Sequence, residues 1–106
     1  LLWYSYYQFL PKAHRYTLGQ KVDGLLIEMI EAMAIAAFLP REEKQPYVRL
    51  AIRKTDTLKI FLALLWETKS LDNKKYVTLS ERVFEVGRML GGWNGQLLKQ
   101  NSSHPR

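Results

Sequence analysis

The sequence has no cysteine, and this excludes disulfide scaffolds, thiolate metal sites and cysteine nucleophiles. It also gives no sign of an oxidising compartment, so the cytoplasm is the default location. Apolar runs such as residues 33–39 are too short to cross a bilayer. The two histidines, His14 and His104, fall in a link and in the polar tail, and neither has a carboxylate partner at metal-ligand spacing. Glu28 and Glu31 are one helical turn apart, but no other segment supplies the remaining ligands of a carboxylate metal site, so they read as a solvated face. Gly91-Gly92 lies within a helical pattern rather than between a strand and a helix, so it is no phosphate loop. Nothing in the pattern supports an enzyme, a cofactor or a metal.

What is present is apolar and cationic. At 106 residues the chain has room for one domain, 1–106, and one core. Apolar residues make up 47 %, enough for that core and too many for a disordered chain. Sixteen lysines and arginines against ten acidic residues leave a net charge of +6, which points to an anionic partner or merely keeps the protein soluble. The chain opens Leu1-Leu2-Trp3-Tyr4 without a methionine and reads as a fragment whose first residues are missing.

The four prolines are Pro11, Pro40, Pro46 and Pro105, and the apolar spacing between them is helical. The aromatic segment 1–10 reads as the tail of a truncated first helix. A second helix is expected over 17–38, opened by the capping box Thr17-Leu18-Gly19-Gln20 and stopped by Pro40. The third is expected over 46–70 with Pro46 in its first turn. The fourth, over 78–100, is opened by a second box, Thr78-Leu79-Ser80-Glu81. Residues 100–106 read as a frayed tail. The expected fold is all-α, an up-down-up-down four-helix bundle with Leu26, Met33, Leu58, Leu62, Val86, Leu90 and Trp93 in the core.

Two outer faces exceed what a lone bundle needs. The third helix carries Arg49 and Arg53 on its outer side, then Ile60 and Leu64; the second carries Glu28 and Glu31, then Ile35 and Phe38. These apolar turns predict an oligomer interface, or cover by missing N-terminal residues. Gly87, Gly91 and Gly95 line one edge of the last helix, which suits either tight packing within the bundle around Trp93 or a docking groove. The cations cluster as well. Lys12, His14 and Arg15 sit in the first link and share an end with Lys74 and Lys75. Arg41 and Lys44 precede the third helix, which Arg49, Arg53 and Lys54 begin. Such clusters bind phosphates without base specificity, or are solvated. They do not form one amphipathic face, which argues against a membrane surface.

Two motifs carry a resemblance. Leu10-Pro11-Lys12-Ala13-His14-Arg15-Tyr16-Thr17-Leu18-Gly19 is similar to the start of the second helix in the accessory variability determinant (Avd) proteins of diversity-generating retroelements, and Val86-Gly87-Arg88-Met89-Leu90-Gly91-Gly92-Trp93 resembles their last-helix signature. The wider relatives are four-helix proteins encoded by intervening sequences of ribosomal RNA genes. The resemblance implies a non-enzymatic helper, a homopentamer of four-helix bundles that associates with the element's reverse transcriptase and with its RNA or DNA. Lys12, Arg15 and Arg88 are the matching basic positions; Arg49, Arg53 and Lys54 come from pattern alone. The shortened first helix departs from the family. A structural oligomer without nucleic-acid function is the alternative.

Overall fold

The computed structural model describes residues 2–102, and the expectations for Leu1, His104, Pro105 and the end of the tail lie outside them. The chain is all-α, with no strand among the described residues. A short helix α1 (Leu2–Tyr7) is followed by one turn, α2 (Lys12–His14), and a π-helical turn (Arg15–Gly19) that runs directly into α3 (Gln20–Phe38). Two long helices complete it, α4 (Arg41–Glu67) and α5 (Asn73–Ser102). The body is a rod of 55 × 20 × 18 Å.

Several helix boundaries differ from the sequence expectation, each for a local reason. Neither capping box forms. Thr17 and Thr78 lie inside helical backbone, where their hydroxyls donate to the carbonyls of Ala13 and Lys74 four residues back. The last helix starts five residues early because Asp72, not Thr78, satisfies its first turn, accepting from the Lys75 backbone N–H at 2.8 Å. The expected link around Lys12, His14 and Arg15 is helical. Likewise α4 begins at Arg41, so Arg41 and Lys44 belong to its first turn, and Pro46 lies inside it. The missing Pro46 N–H leaves the Glu42 carbonyl without its usual donor, at an exposed position where water can serve. α1 is shorter than 1–10, and the expected fraying from 100 does not occur by Ser102.

The end of α4 is a left-handed stop. Lys69 adopts φ 63°, Ser70 N–H reaches the Leu65 carbonyl at 2.8 Å, and Lys69 N–H reaches that of Trp66 at 2.9 Å. A lysine thus occupies the position that glycine fills most easily.

Three layers of apolar side chains hold the long helices together. The widest joins Val22 and Leu25 of α3 to Leu58, Leu62 and Leu65 of α4 and Leu79 and Val83 of α5, closed at the end by Trp3, Leu10 and Leu71. Next come Met29, Ala32, Ala51 and Leu90, then Ala36, Val48 and Leu97. Residue numbers rise along α4 as they fall along α3 and α5, so α4 runs against both neighbours. The alanines in the upper layers let the helices approach closely. Thr55, fully buried in α4, is satisfied by donating to the Ala51 carbonyl at 2.7 Å.

The fourth side is not covered to the same depth. Of the residues expected in the core, Leu58, Leu62 and Leu90 are buried, whereas Leu26, Met33, Val86 and Trp93 are only half-buried. Between α3 and α5 runs an open trough of about 220 Å³, floored by Leu58 and Leu62, with Leu2 and Trp3 of α1 in its lining. Tyr4 of α1 lies toward Asp23 of α3, whose carboxylate acts on the Tyr4 phenol.

Candidate nucleic-acid interface

A cation is available to a phosphate only if the fold has not already used it. By that criterion the six expected contacts divide. Arg15 is engaged: its guanidinium donates to the carbonyls of Gln8 at 2.9 Å and Leu10 at 3.1 Å, closing the turn after α1. Lys54 is engaged too, in an ion pair with Glu28 at 3.1 Å that links α4 to α3. Lys12, Arg49, Arg53 and Arg88 are exposed, with no ion pair to another described residue. In particular, Arg88 does not pair with Glu81 or Glu85.

Arg49 and Arg53 stand one turn apart on the solvent side of α4. Register contacts fix how α5 lies beside them. The Gln45 amide donates to Asn94 at 3.3 Å, and the Lys59 ammonium lies 4.5 Å from the centre of the Phe84 ring. Gly87 faces α4, where a Cβ would meet Lys59 Nζ at 3.5 Å and Thr55 Cγ2 at 3.7 Å. Gly91, Gly92 and Gly95 face open space, so the packing expected of the whole glycine edge holds at Gly87 alone.

Other cations brace the body. Lys44 donates to the carbonyls of Ala36 at 2.7 Å and Ala37 at 3.3 Å, capping α3, and lies 6.0 Å from the Trp93 ring centre. Lys21 covers Phe61 at 5.9 Å.

The expected interface residues are uncovered. Phe38 is 91 % and Ile60 61 % exposed, with Ile35 and Leu64 also exposed. On α3 the uncovered apolar surface extends further, through Ile27 and Ile30. Patches of this kind on a small protein usually meet a partner.

The first link and the α4–α5 turn do share an end, as expected for Lys12, His14, Lys74 and Lys75. His14 Nδ1 hydrogen-bonds the Ser70 hydroxyl, and Lys75 Nζ sits 5.1 Å from the ring centre of Phe9 and 5.5 Å from that of Tyr6. Sequence reasoning missed the rings of this end as functional candidates. Trp66 stacks on Tyr76 with centroids 5.0 Å apart and planes 14° apart. A tryptophan and a tyrosine ten residues apart, on either side of a turn rich in lysine, are the signal that could have revealed it. Among the described residues no group of His, Asp or Glu could hold a metal, and no helix is long and apolar enough to cross a membrane. The chain matches no protein-family model, no curated protein and no solved structure.

Proposed function

We propose that this protein is a non-enzymatic, cytoplasmic accessory factor of the Avd type. It would bind template RNA or complementary DNA and dock the reverse transcriptase of a diversity-generating retroelement as a homo-oligomer, with five subunits the expected number. In this reading α1 is the fourth member of an up-down-up-down bundle, seated in the trough between α3 and α5.

The observation that carries the nucleic-acid part is the pair Arg49 and Arg53, exposed on one side of α4 without counter-ions. Cations held in that way bind phosphates by releasing condensed ions, with little regard for base sequence. Lys12 and Arg88 join them as unpaired candidates. Arg15 and Lys54 are weaker ones, because a phosphate would have to displace a carbonyl or a carboxylate. Repetition around a ring would multiply each contact and raise avidity.

The test is an anisotropy titration against unrelated RNA and DNA at two salt concentrations. Arg49→Glu with Arg53→Glu should weaken binding to all sequences alike and flatten the salt slope by about one unit per lost contact. Absence of binding at low salt, together with failure to co-purify with a reverse transcriptase, would reject the adaptor.

A second reading, a structural oligomer, is favoured by Ile35, Phe38, Ile60 and Leu64, whose exposure is independent of the cations. Light scattering at micromolar concentration tests both, since both require assembly. Ile60→Glu with Leu64→Glu should leave a helical monomer.

A further inference from the structure

The end of the molecule at which α1, the π turn, α4 and α5 meet combines exposed rings with cations in a way that the core does not require. Leu10, not Phe9, fills the core here: Leu10 is 2 % exposed and Phe9 is 68 % exposed. Phe9 is nevertheless held in place, since its backbone N–H donates to the Tyr6 carbonyl at 3.0 Å and Lys75 lies against its ring. Trp66 is fixed more firmly. One contact is its stack on Tyr76, the other is a 2.6 Å hydrogen bond from Nε1 to Asn73 Oδ1, and the indole still exposes 41 % of its surface. Lys75 and Tyr76 are adjacent in the first turn of α5, so Phe9 and Trp66 flank the same turn.

Five cationic residues belong to the segments that meet at this end, Lys12, Arg15, Lys69, Lys74 and Lys75, together with His14, and Lys75 lies against the Phe9 ring. Two carboxylates stand with them. Asp72 is committed to the Lys75 backbone N–H, and Glu67 lies in the last turn of α4. Lys12, Lys69 and Lys74 are exposed, and the left-handed backbone at Lys69 places it beyond the end of α4.

We propose that this end is a platform for single-stranded nucleic acid, with bases stacking on Phe9 and Trp66 and phosphates held by Lys12, Lys69 and Lys74. The proposal rests on the nucleic-acid reading above and narrows it to unpaired strands. Lysines alone attract any polyphosphate chain, duplex or single. Rings add binding only where a base face is free, and a duplex keeps its faces inside the stack. Holding the rings before binding reduces the ordering cost of the complex.

The experiment uses the whole chain at low salt with three fluorescent probes of equal length: oligothymidylate, the same backbone with abasic sites, and a blunt duplex. Oligothymidylate should bind at least about tenfold tighter than the abasic strand, the gain expected from one or two stacked bases. Tryptophan emission should fall on binding, and Trp66→Phe should remove most of that change although Trp3 and Trp93 remain. Phe9→Leu with Trp66→Leu should bring oligothymidylate down to the abasic level and leave duplex binding unchanged. Phe9→Leu alone, at a residue outside the core, should lose part of the preference and covers the case in which the double variant fails to fold. Equal binding of all three probes by the unaltered protein, unchanged in the variants, overturns the platform and leaves the adaptor reading intact. Binding of none of them overturns both. If phosphatidylserine vesicles bind through Phe9 and Trp66 while oligothymidylate is indifferent to them, the platform is overturned in favour of a membrane surface.

Discussion

The seams on either side of α4 and the seam between α3 and α5 are built from the same kinds of residue, yet they end in different states. Where α4 meets its neighbours, Val22, Val48, Ala51, Leu58 and Leu65 are at most 1 % exposed. Across the α3–α5 seam, Leu26, Met33, Val86 and Trp93 remain half-buried around an open trough. Helical periodicity selects the face that a side chain occupies, but burial depends on what lies opposite. Only α4 has a long helix on two sides. The short α1 reaches one part of the remaining seam, and the rest is left for a partner or for solvent.

This difference is tested most strongly by paired truncations. Leu58→Ala, at a 1 % exposed site facing both neighbours, should cost about 2–5 kcal/mol. Leu26→Ala, on the trough wall, should cost under about 2 kcal/mol because water already reaches the site. Chemical denaturation of the two variants checks this. Equal losses would mean that the trough is covered in solution, and a concentration-dependent midpoint for the unaltered protein would identify a second copy as the cover.

The helical period was legible in the sequence, and with it the all-α class and the layer residues Leu58, Leu62 and Leu90. The helix starts were not. The pattern of threonine followed three residues later by glutamine or glutamate fits a cap, but Thr17 and Thr78 bond backward inside longer helices, and nothing local separates the two uses. Pro46 read as a first-turn residue because the true start, just after Pro40, is also marked by a proline. The cations were legible as clusters, whereas their roles were not. Whether Lys44 or Arg15 is spent on carbonyls depends on where the ends of α3 and α1 lie in three dimensions, and whether Lys54 is free depends on Glu28, 26 residues away. Phe9 and Trp66 were hidden for a different reason, since helical spacing alone does not report which aromatic rings the fold leaves exposed beside cations.

Glycines sharpen the contrast at intermediate magnitude. A Cβ on Gly19 would lie 3.0 Å from Leu10 Cδ1 and 3.2 Å from both the His14 carbonyl oxygen and Tyr7 Cε2. Leu10 can shift, but the backbone oxygen cannot. Gly19→Ala should therefore cost about 1–2 kcal/mol, the crowding outweighing the better helix propensity of alanine. Gly91→Ala meets nothing within 4 Å and should raise the stability of the isolated chain by about 0.5–1 kcal/mol. Thermal melts give both signs. If the same Gly91→Ala lowers the assembled mass in light scattering, that glycine edge is a contact between subunits. A destabilised Gly91→Ala monomer would show that the edge is not open.

The smallest effect concerns the clasp that joins α1 to the rim of the trough. The hydrogen bond to the Asp23 carboxylate, and then the carboxylate's negative charge, raise the Tyr4 phenol above its ordinary pKa of 10.0. The folded state thus holds this proton more tightly than the unfolded chain does. The stabilisation is fully present below the ordinary tyrosine pKa and is lost as pH rises through the higher folded value. At neutral pH it is constant, and it is modest because Tyr4 is half exposed to water. The informative quantity is a difference between variants. The melting temperature of the unaltered protein minus that of Tyr4→Phe should be positive and flat from neutral pH to about pH 9, then fall toward zero above about pH 10. Asp23→Asn removes the charge and should flatten that fall when Tyr4→Phe is measured in its background. A difference that stays constant across the alkaline range would show that the Tyr4–Asp23 contact does not hold α1 in the seam, leaving Trp3 as its anchor.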